Sequence, residues 1–595
     1  MSADEGTAAP TGATPATGKD EQELAHLGYK QELSRAFSSF TNFAISFTII
    51  SVLAGCFTNF SFAWNNGGPA LIAFGWPILC GFVLLVAVSM AELTSKFPTA
   101  GGPYWWAAKL GGPGWSWFTG WFNIVGLVGI VAGVGYGAAI FLDALLNLYG
   151  LNVLGINFGD TKHVLSETFL LFMIILVLYT VLNIFGDRIL SLLNNISVWW
   201  HVVGVVAIIA ILIFVPDGHQ SASFVFGDRI NNSGFHGGSA SGPFFWFYIV
   251  LVGFILTMYT QTGYDASAHT AEETQDASIS AARGVWRSVF YSAILGWLIL
   301  LAFLFAANHV GAINKAGGTS ISIFTNNLDS WAAKSVILIA TVGQLFCGAA
   351  GLTSASRTWY AFSRDRAMPG WSLFRRVNQR RVPFNAVIAV SIAAFIITIP
   401  ALFGNAAGVP WAYFAITAIC TVGLYLAYII PVYLRFRQGD KFEPGPWNLG
   451  RHYRWINIGA MFFVALVVIA LDLPIVPAGV PWDSSFDLPS VNYSPLVLLV
   501  GIIVAIWWQV SAKHRYTGPV RTIDEPDEIT PTTGPPAPPA GAAPTPASLR
   551  RPRRSGSAGC RRPGRRRRPS RARTCGCARS PSRPRRTGAA RCGRS

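Results

Sequence analysis

The sequence predicts an all-α polytopic membrane protein of about twelve transmembrane helices. Three observations carry that prediction. Of 595 residues, 52% are hydrophobic and 12% charged, against about 25% charged in an ordinary globular domain. Mean hydropathy is +0.43. Apolar runs long enough to cross a bilayer succeed one another from residue 38 to residue 512, joined by short polar segments.

Residues 1–31 are polar and rich in Pro, Thr and Ala, which predicts a disordered tail. They lack the basic start and apolar centre of a cleavable signal peptide. The spans fall near 38–62, 69–92, 116–147, 165–185, 190–215, 243–269, 285–308, 333–362, 385–404, 410–434, 456–478 and 494–512. Two five-helix halves, 38–215 and 243–434, are followed by two extra helices, 456–512, so the transmembrane domain covers residues 32–515. The joining segments alternate in charge. Lys96, Lys109, Arg188, Arg283, Arg287 and the clusters at 364–381 and 435–454 share one side, while Lys162, Arg229 and Lys315 lie on the other. The excess of Lys and Arg on cytoplasmic loops predicts that both termini face the cytoplasm.

A Pro-rich linker at 516–549 leads to residues 550–595, which hold eighteen of the arginines. Without them the net charge of +17 becomes −1, so the basicity belongs to a tail and predicts no nucleic-acid-binding face. That tail is built from residue types with GC-rich codons. An out-of-frame reading at the end of a GC-rich gene would produce it; a genuine arm touching anionic lipid or nucleic acid is the alternative. Cys56, Cys80, Cys347 and Cys420 lie in apolar spans, and Cys575 and Cys577 lack zinc-site spacing, so neither metal nor disulfide is expected.

Polar residues at membrane depth mark function, because lipid cannot satisfy them. Two spans carry Gly and small polar residues near mid-depth: IISVLAGCFTN in span 1 and MYTQTGYDAS in span 6. Broken helices at those equivalent positions of two halves expose N–H and C=O groups to one cavity, as in inverted-repeat transporters. The plainer reading is that Gly55 and Gly263 only let helices pack closely.

The segment Met90 to Trp121 resembles the region joining spans 2 and 3 in the amino acid–polyamine–organocation (APC) superfamily, with Glu92, Pro98, Ala100, Gly101 and Tyr104 in its motif. Gly263, Tyr264, Asp265, Ala271, Glu272 and Glu273 resemble its sixth-span pattern. RTWYAFSRDRAMP and GLYLAYIIPVYLR resemble the ends of its eighth and tenth spans, and the wording is closest to the amino acid/choline transporter branch, with its GABA, choline and polyamine permeases.

The resemblance implies a secondary transporter of the cytoplasmic membrane importing an amino acid or a small amine such as GABA. It places the substrate carboxylate on N–H groups of Ser51, Val52, Leu53, Ala54 and Gly55, and the amine near Tyr259, Thr260, Thr262 and Gly263. Tyr259 would cap the substrate, unless it is one more packed aromatic. His201 stands where some proton-coupled members carry a Lys; a packing histidine is the alternative. Thr353 and Ser354 would serve a sodium site instead, or bond only to their own helix. Asp265, Glu272 and Glu273 would form a gate, the two Glu pairing with arginines such as Arg283, Arg287 or Arg364. After Glu273 the family's usual Asn-Pro is replaced by Gln275-Asp276. A membrane enzyme would need a converging nucleophile, base or metal set, and a sensor would need a signalling domain. Neither is legible, nor is a phosphate-binding loop. No cofactor beyond a coupling H+ or Na+ is expected, and the partners are the substrate and the bilayer.

Overall fold

The computed structural model describes residues 16–151, 161–185, 187–402, 411–487 and 490–522. Among the described residues there is no β-strand beyond two isolated bridges, and eleven helices are long and apolar enough to cross a membrane. Spans 2 to 5 run Gly68–Lys96, Pro113–Leu148, Thr161–Phe185 and Asp187–Phe214. Spans 7 to 11 run Ala277–Ala306, Ser330–Arg364, Phe384–Thr398, Trp411–Gln438 and Tyr453–Asp472. The twelfth, Leu496–Val510, has 15 residues. At 1.5 Å per residue it is shorter than the ~30 Å hydrocarbon core.

Spans 3, 8 and 10 pack together as the inner layer, and span 7 lies against spans 1 and 2. Side chains turned outward are apolar, as lipid requires: Phe214 is 83% and Phe247 81% exposed. The interior instead buries Asp, Glu, Arg, His and Asn side chains, several of them paired as described below.

The first helix of each five-helix half is interrupted. Span 1 consists of Ser39–Ile50 and Val52–Thr58, separated at Ser51, whose φ is 29°. A non-glycine residue at positive φ carries roughly 1–3 kcal/mol of strain, which persists only where surroundings impose it. Span 6 ends its outer part at Thr260, turns through Gln261 to Asp265, and resumes as Ala266–His269 and the 3-10 turn Ala271–Glu273. Gly263 sits at φ 83°, and a Cβ there would lie 2.2 Å from Ile49 Cγ2.

The two terminal expectations need correction. Residues 16–31 are ordered rather than a loose tail: Ala16–His26 is helical, and Leu24 and Tyr29 are buried. Apolar side chains scattered in a polar segment have found a surface to cover. Residues 516–522, placed in the linker, are held as well. Tyr516 is hydrogen bonded to Ser116 at 2.7 Å, and the Thr522 N–H donates to Gly28 O at 2.9 Å. The two ends of the described chain therefore meet on one face, the tail face. The rest of the linker and residues 550–595 lie outside the described residues.

Candidate functional site

The two interruptions face each other. A Cβ on Gly55 would lie 2.3 Å from Thr260 Oγ1, so close approach of spans 1 and 6 requires glycine here. Around that contact lies a cavity of about 10 Å³ lined by Ile50, Ala54, Gly55, Tyr259, Thr260 and Thr262, among others. That is the space of one water, so anything larger enters only when the helices part. Close packing and cavity lining are thus two roles of the same Gly55.

Of the residues singled out in span 1, Ala54 and Gly55 line the cavity, and Ser51, Val52 and Leu53 form the break beside it. The Ala54 and Gly55 N–H groups donate to Ser51 O at 2.9 and 3.0 Å. Val52 and Leu53 open the second segment, where helical N–H groups have no intrahelical acceptor. In span 6 the hydroxyls turn to the backbone: Thr262 Oγ1 donates to Tyr259 O at 2.7 Å and Thr260 Oγ1 to Leu256 O at 2.6 Å. Cys347 of span 8 donates its thiol to Ile49 O at 3.0 Å.

The freed backbone of span 6 is satisfied from span 1, which is what membrane burial demands. Ser46 Oγ donates to Tyr264 O at 2.8 Å and accepts the Ser267 N–H at 2.8 Å. Asn42 Nδ2 donates to Ser267 O at 2.9 Å. These bonds tie the first segment of span 1 to the last part of span 6 as one unit.

His201 reaches the break of span 1. Its Nε2 lies 2.7 Å from the Ser51 hydroxyl, and its Nδ1 lies 2.7 Å from Ser197 O. The carbonyl can only accept, so Nδ1 carries the hydrogen and the hydroxyl can donate to Nε2. A neutral ring completes both contacts. Thr353 Oγ1 donates to Asn183 Oδ1 of span 4 at 2.8 Å and to Ala349 O at 3.1 Å, while Ser354 Oγ is buried with no hydrogen-bond partner.

The acidic residues gather at the tail-face end of span 6. Arg364 holds Glu272 with both terminal nitrogens, at 2.9 and 3.0 Å. Arg357 holds Glu273 at 2.9 and 3.2 Å. All four side chains are buried. Arg364 was among the expected partners; Arg357 was not named, although it lies seven residues earlier on the same face of span 8. Arg283 and Arg287 instead line a separate cleft with Phe40 and Phe43. Glu272 Oε1 also accepts the Ala100 N–H at 3.0 Å, and Glu92 pairs with Arg435 at 2.9 Å. Asp265 accepts hydrogen bonds from Tyr428 and Asn123 and contacts His269. His269 lies between Asp265 and Ala271 of the span 6 pattern, where the sequence reading assigns it no role. Its signal was the spacing: residues i and i+4 share a helix face.

Two interrupted helices meeting at a small cavity, with buried ion pairs beyond one of them, are the arrangement expected of an inverted-repeat membrane transporter. The profile of the amino acid permease family matches residues 37–505. Among known proteins, the chain is 34% identical over 529 residues to an amino-acid permease of Arabidopsis thaliana, BAT1, covering 86% of this chain and 98% of that one. It is 35% identical over 521 residues to the BAT1 homolog of Oryza sativa subsp. japonica, with 84% and 95% covered. To the GABA-specific permease of Saccharomyces cerevisiae it is 29% identical over 526 residues, with 85% and 87% covered. The chain belongs to the amino acid permease family of the APC superfamily. It is a multi-pass membrane protein that transports amino acids.

Proposed function

We propose that this permease imports GABA or a neutral amino acid across the cytoplasmic membrane, driven by a proton gradient, with the tail face in the cytoplasm. The observation that carries the reading is the meeting of Ser51–Gly55 with Tyr259–Gly263 around one closed cavity. Backbone N–H groups after Ser51 suit a carboxylate, and carbonyls at the end of the outer part of span 6 suit an amine. Tyr259 lines the cavity and covers it as a gate. Such a site recognises the zwitterionic part of a substrate, with apolar Ile50, Ile130 and Val134 around the remainder.

The Lys- and Arg-rich joints lie with the tail face, which supports a cytoplasmic placement. The pairs Glu272–Arg364 and Glu273–Arg357 then keep the cytoplasmic side shut. A buried ion pair suits this work because separating it without solvating both charges is costly. Opening must let water reach the pairs as the joined unit of spans 1 and 6 swings away. Two buried histidines stand near the breaks, His201 beside span 1 and His269 beyond span 6, and support the proton reading.

The test is uptake into proteoliposomes of a radiolabelled panel of amino acids and amines, with and without an inward pH gradient and with and without sodium. Accumulation of GABA or a neutral amino acid under the pH gradient is expected. Accumulation that needs sodium alone overturns the proton, and no uptake of any panel member overturns the substrate assignment.

A further inference from the structure

Beyond the cavity, toward the tail face, Asp265 and His269 form a pair with an unusual hydrogen count. Asp265 Oδ1 accepts from the Tyr428 hydroxyl at 2.7 Å, and Oδ2 accepts from Asn123 Nδ2 at 3.1 Å. His269 Nε2 lies 3.0 Å from the same Oδ2, and its Nδ1 lies 3.1 Å from the carbonyl oxygen of Ala100. All four side chains are fully buried. A backbone carbonyl and a carboxylate only accept, and a neutral imidazole has one N–H to give. With a neutral ring and an ionised carboxylate, one of the two ring contacts would set lone pair against lone pair. One added hydrogen, on Nε2 or on Oδ2, completes both. His201 needs no such addition, because Ser51 can donate to it.

We propose that the Asp265–His269 pair is the site that holds the transported proton while the cytoplasmic side is shut. The inference rests on the proton-coupled reading above and names where that proton sits. With the proton, the pair is neutral overall; without it, one negative charge stays buried. Among the described residues, the other side chains hydrogen bonded to the pair, Tyr428 of span 10 and Asn123 of span 3, are uncharged, and Tyr264 of span 6 packs on Tyr428 with ring centroids 5.0 Å apart. Glu272, reached through the Ala100 backbone, is already paired with Arg364.

The pair is wired to both ends of the cycle. Tyr428, which donates to Asp265, also accepts the Gly263 N–H at 3.3 Å, and Gly263 is the break of span 6. On the other side, the turn at residues 99–102 sits on the imidazole: a Cβ on Gly102 would lie 2.9 Å from the ring. The same turn holds Glu272 through Ala100. Losing the proton removes either the Asp265–His269 bond or the His269–Ala100 bond, and so loosens span 6 from the turn that closes the gate. Opening toward the cytoplasm and proton release are then one event.

Asp265→Asn imitates the protonated pair. Its amide N–H can serve His269 Nε2 and its oxygen can serve Tyr428, while Asn123 turns its unpaired Oδ1 toward the new amide. In proteoliposomes with a substrate the wild type accumulates, one proton per neutral substrate gives up to about tenfold accumulation per pH unit. The expected result for Asp265→Asn is measurable counterflow exchange with accumulation reduced to about onefold. His269→Gln serves as the second variant if the first does not fold. Wild-type-like accumulation by either folded variant overturns the proposal, as does a folded variant that loses counterflow along with accumulation. A pH dye in weak buffer reads the proton on the wild type without any substitution. About one proton exchanged per substrate bound supports the proposal, and none overturns it. If the wild type itself ignores the pH gradient, the proton-coupled reading fails first.

Discussion

The two broken helices solve the same problem with opposite chemistry. At the break of span 1, a strained Ser51 meets the His201 ring, Cys347 bonds the Ile49 carbonyl beside it, and among the described residues no Asp, Glu, Lys or Arg lines the cavity there. Beyond the break of span 6, within about three helical turns, Asp265, His269, Glu272 and Glu273 are all buried and all partnered. The first arrangement can hold a substrate's own charges because it brings none. The second can hold or release a conformation because its charges balance only while the pieces stay together. In the proposed reading, recognition and locking are therefore separated by one turn of chain, Gln261 to Asp265.

The largest expected effect is at the lock. Glu272→Ala or Arg364→Ala leaves a buried charge unpaired, which costs ~3–5 kcal/mol. Thermal unfolding of the purified protein should record it together with lost uptake. The double variant should recover part of the stability, since contacting pairs are not additive. Additive losses would mean that the two residues act independently.

Next comes Gly263→Ala. The left-handed backbone costs roughly 1–2 kcal/mol, and the Cβ would collide with Ile49. Uptake should fall at least tenfold by initial-rate measurement. Gly81→Ala in span 2, where nothing lies within 4 Å, should be tolerated and may serve as the comparison for helix packing in lipid.

His201→Ala sharpens the contrast between the histidines. It removes the acceptor for Ser51, so a severalfold rise in KM is expected with the pH-gradient dependence still present. If gradient-driven accumulation falls while exchange persists, the proton belongs to span 5 and the comparison is reversed.

The smallest effects belong to the docked tails. Tyr29, Tyr104 and the Val520 N–H all donate to Asp365, just past the end of span 8. Tyr29→Phe removes a bond to a charged acceptor, ~1.5–3 kcal/mol, together with the acceptor of the Trp105 Nε1–H, and should speed hydrogen exchange at residues 16–31. Burial pushes the Asp365 carboxyl up to about 6, against the lowering by Arg364. The docked state therefore binds the proton more tightly than the released state. Docking should strengthen as pH falls from 7 toward 5 and weaken as pH rises through about 6, and the same exchange experiment reads both directions.

Much of this was legible in the residues. Span positions follow from apolar length, and both breaks from Gly and small polar residues set at mid-depth. Glu272 with Arg364 was within reach of charge matching. Arg357 was missed because it reads as part of an apolar span, where only the buried Glu273 explains it. His269 was missed because its one signal, the four-residue spacing from Asp265, points to a partner only once both are known to be buried. The order of residues 16–31 was missed because Leu24 and Tyr29 look isolated until Asp365 and Trp105 are placed beside them.

By itself, the sequence determined the membrane class, the family and the two places where helices stop, because each rests on local composition or on a contiguous motif. Only the tertiary structure decided which buried charge meets which, and how many hydrogens the Asp265–His269 pair requires. The Ala100 carbonyl that forces that count comes from a turn 169 residues before His269 in the chain. Hydrogen bonds depend on distances of a few tenths of an ångström between such remote segments, and no local pattern encodes those distances.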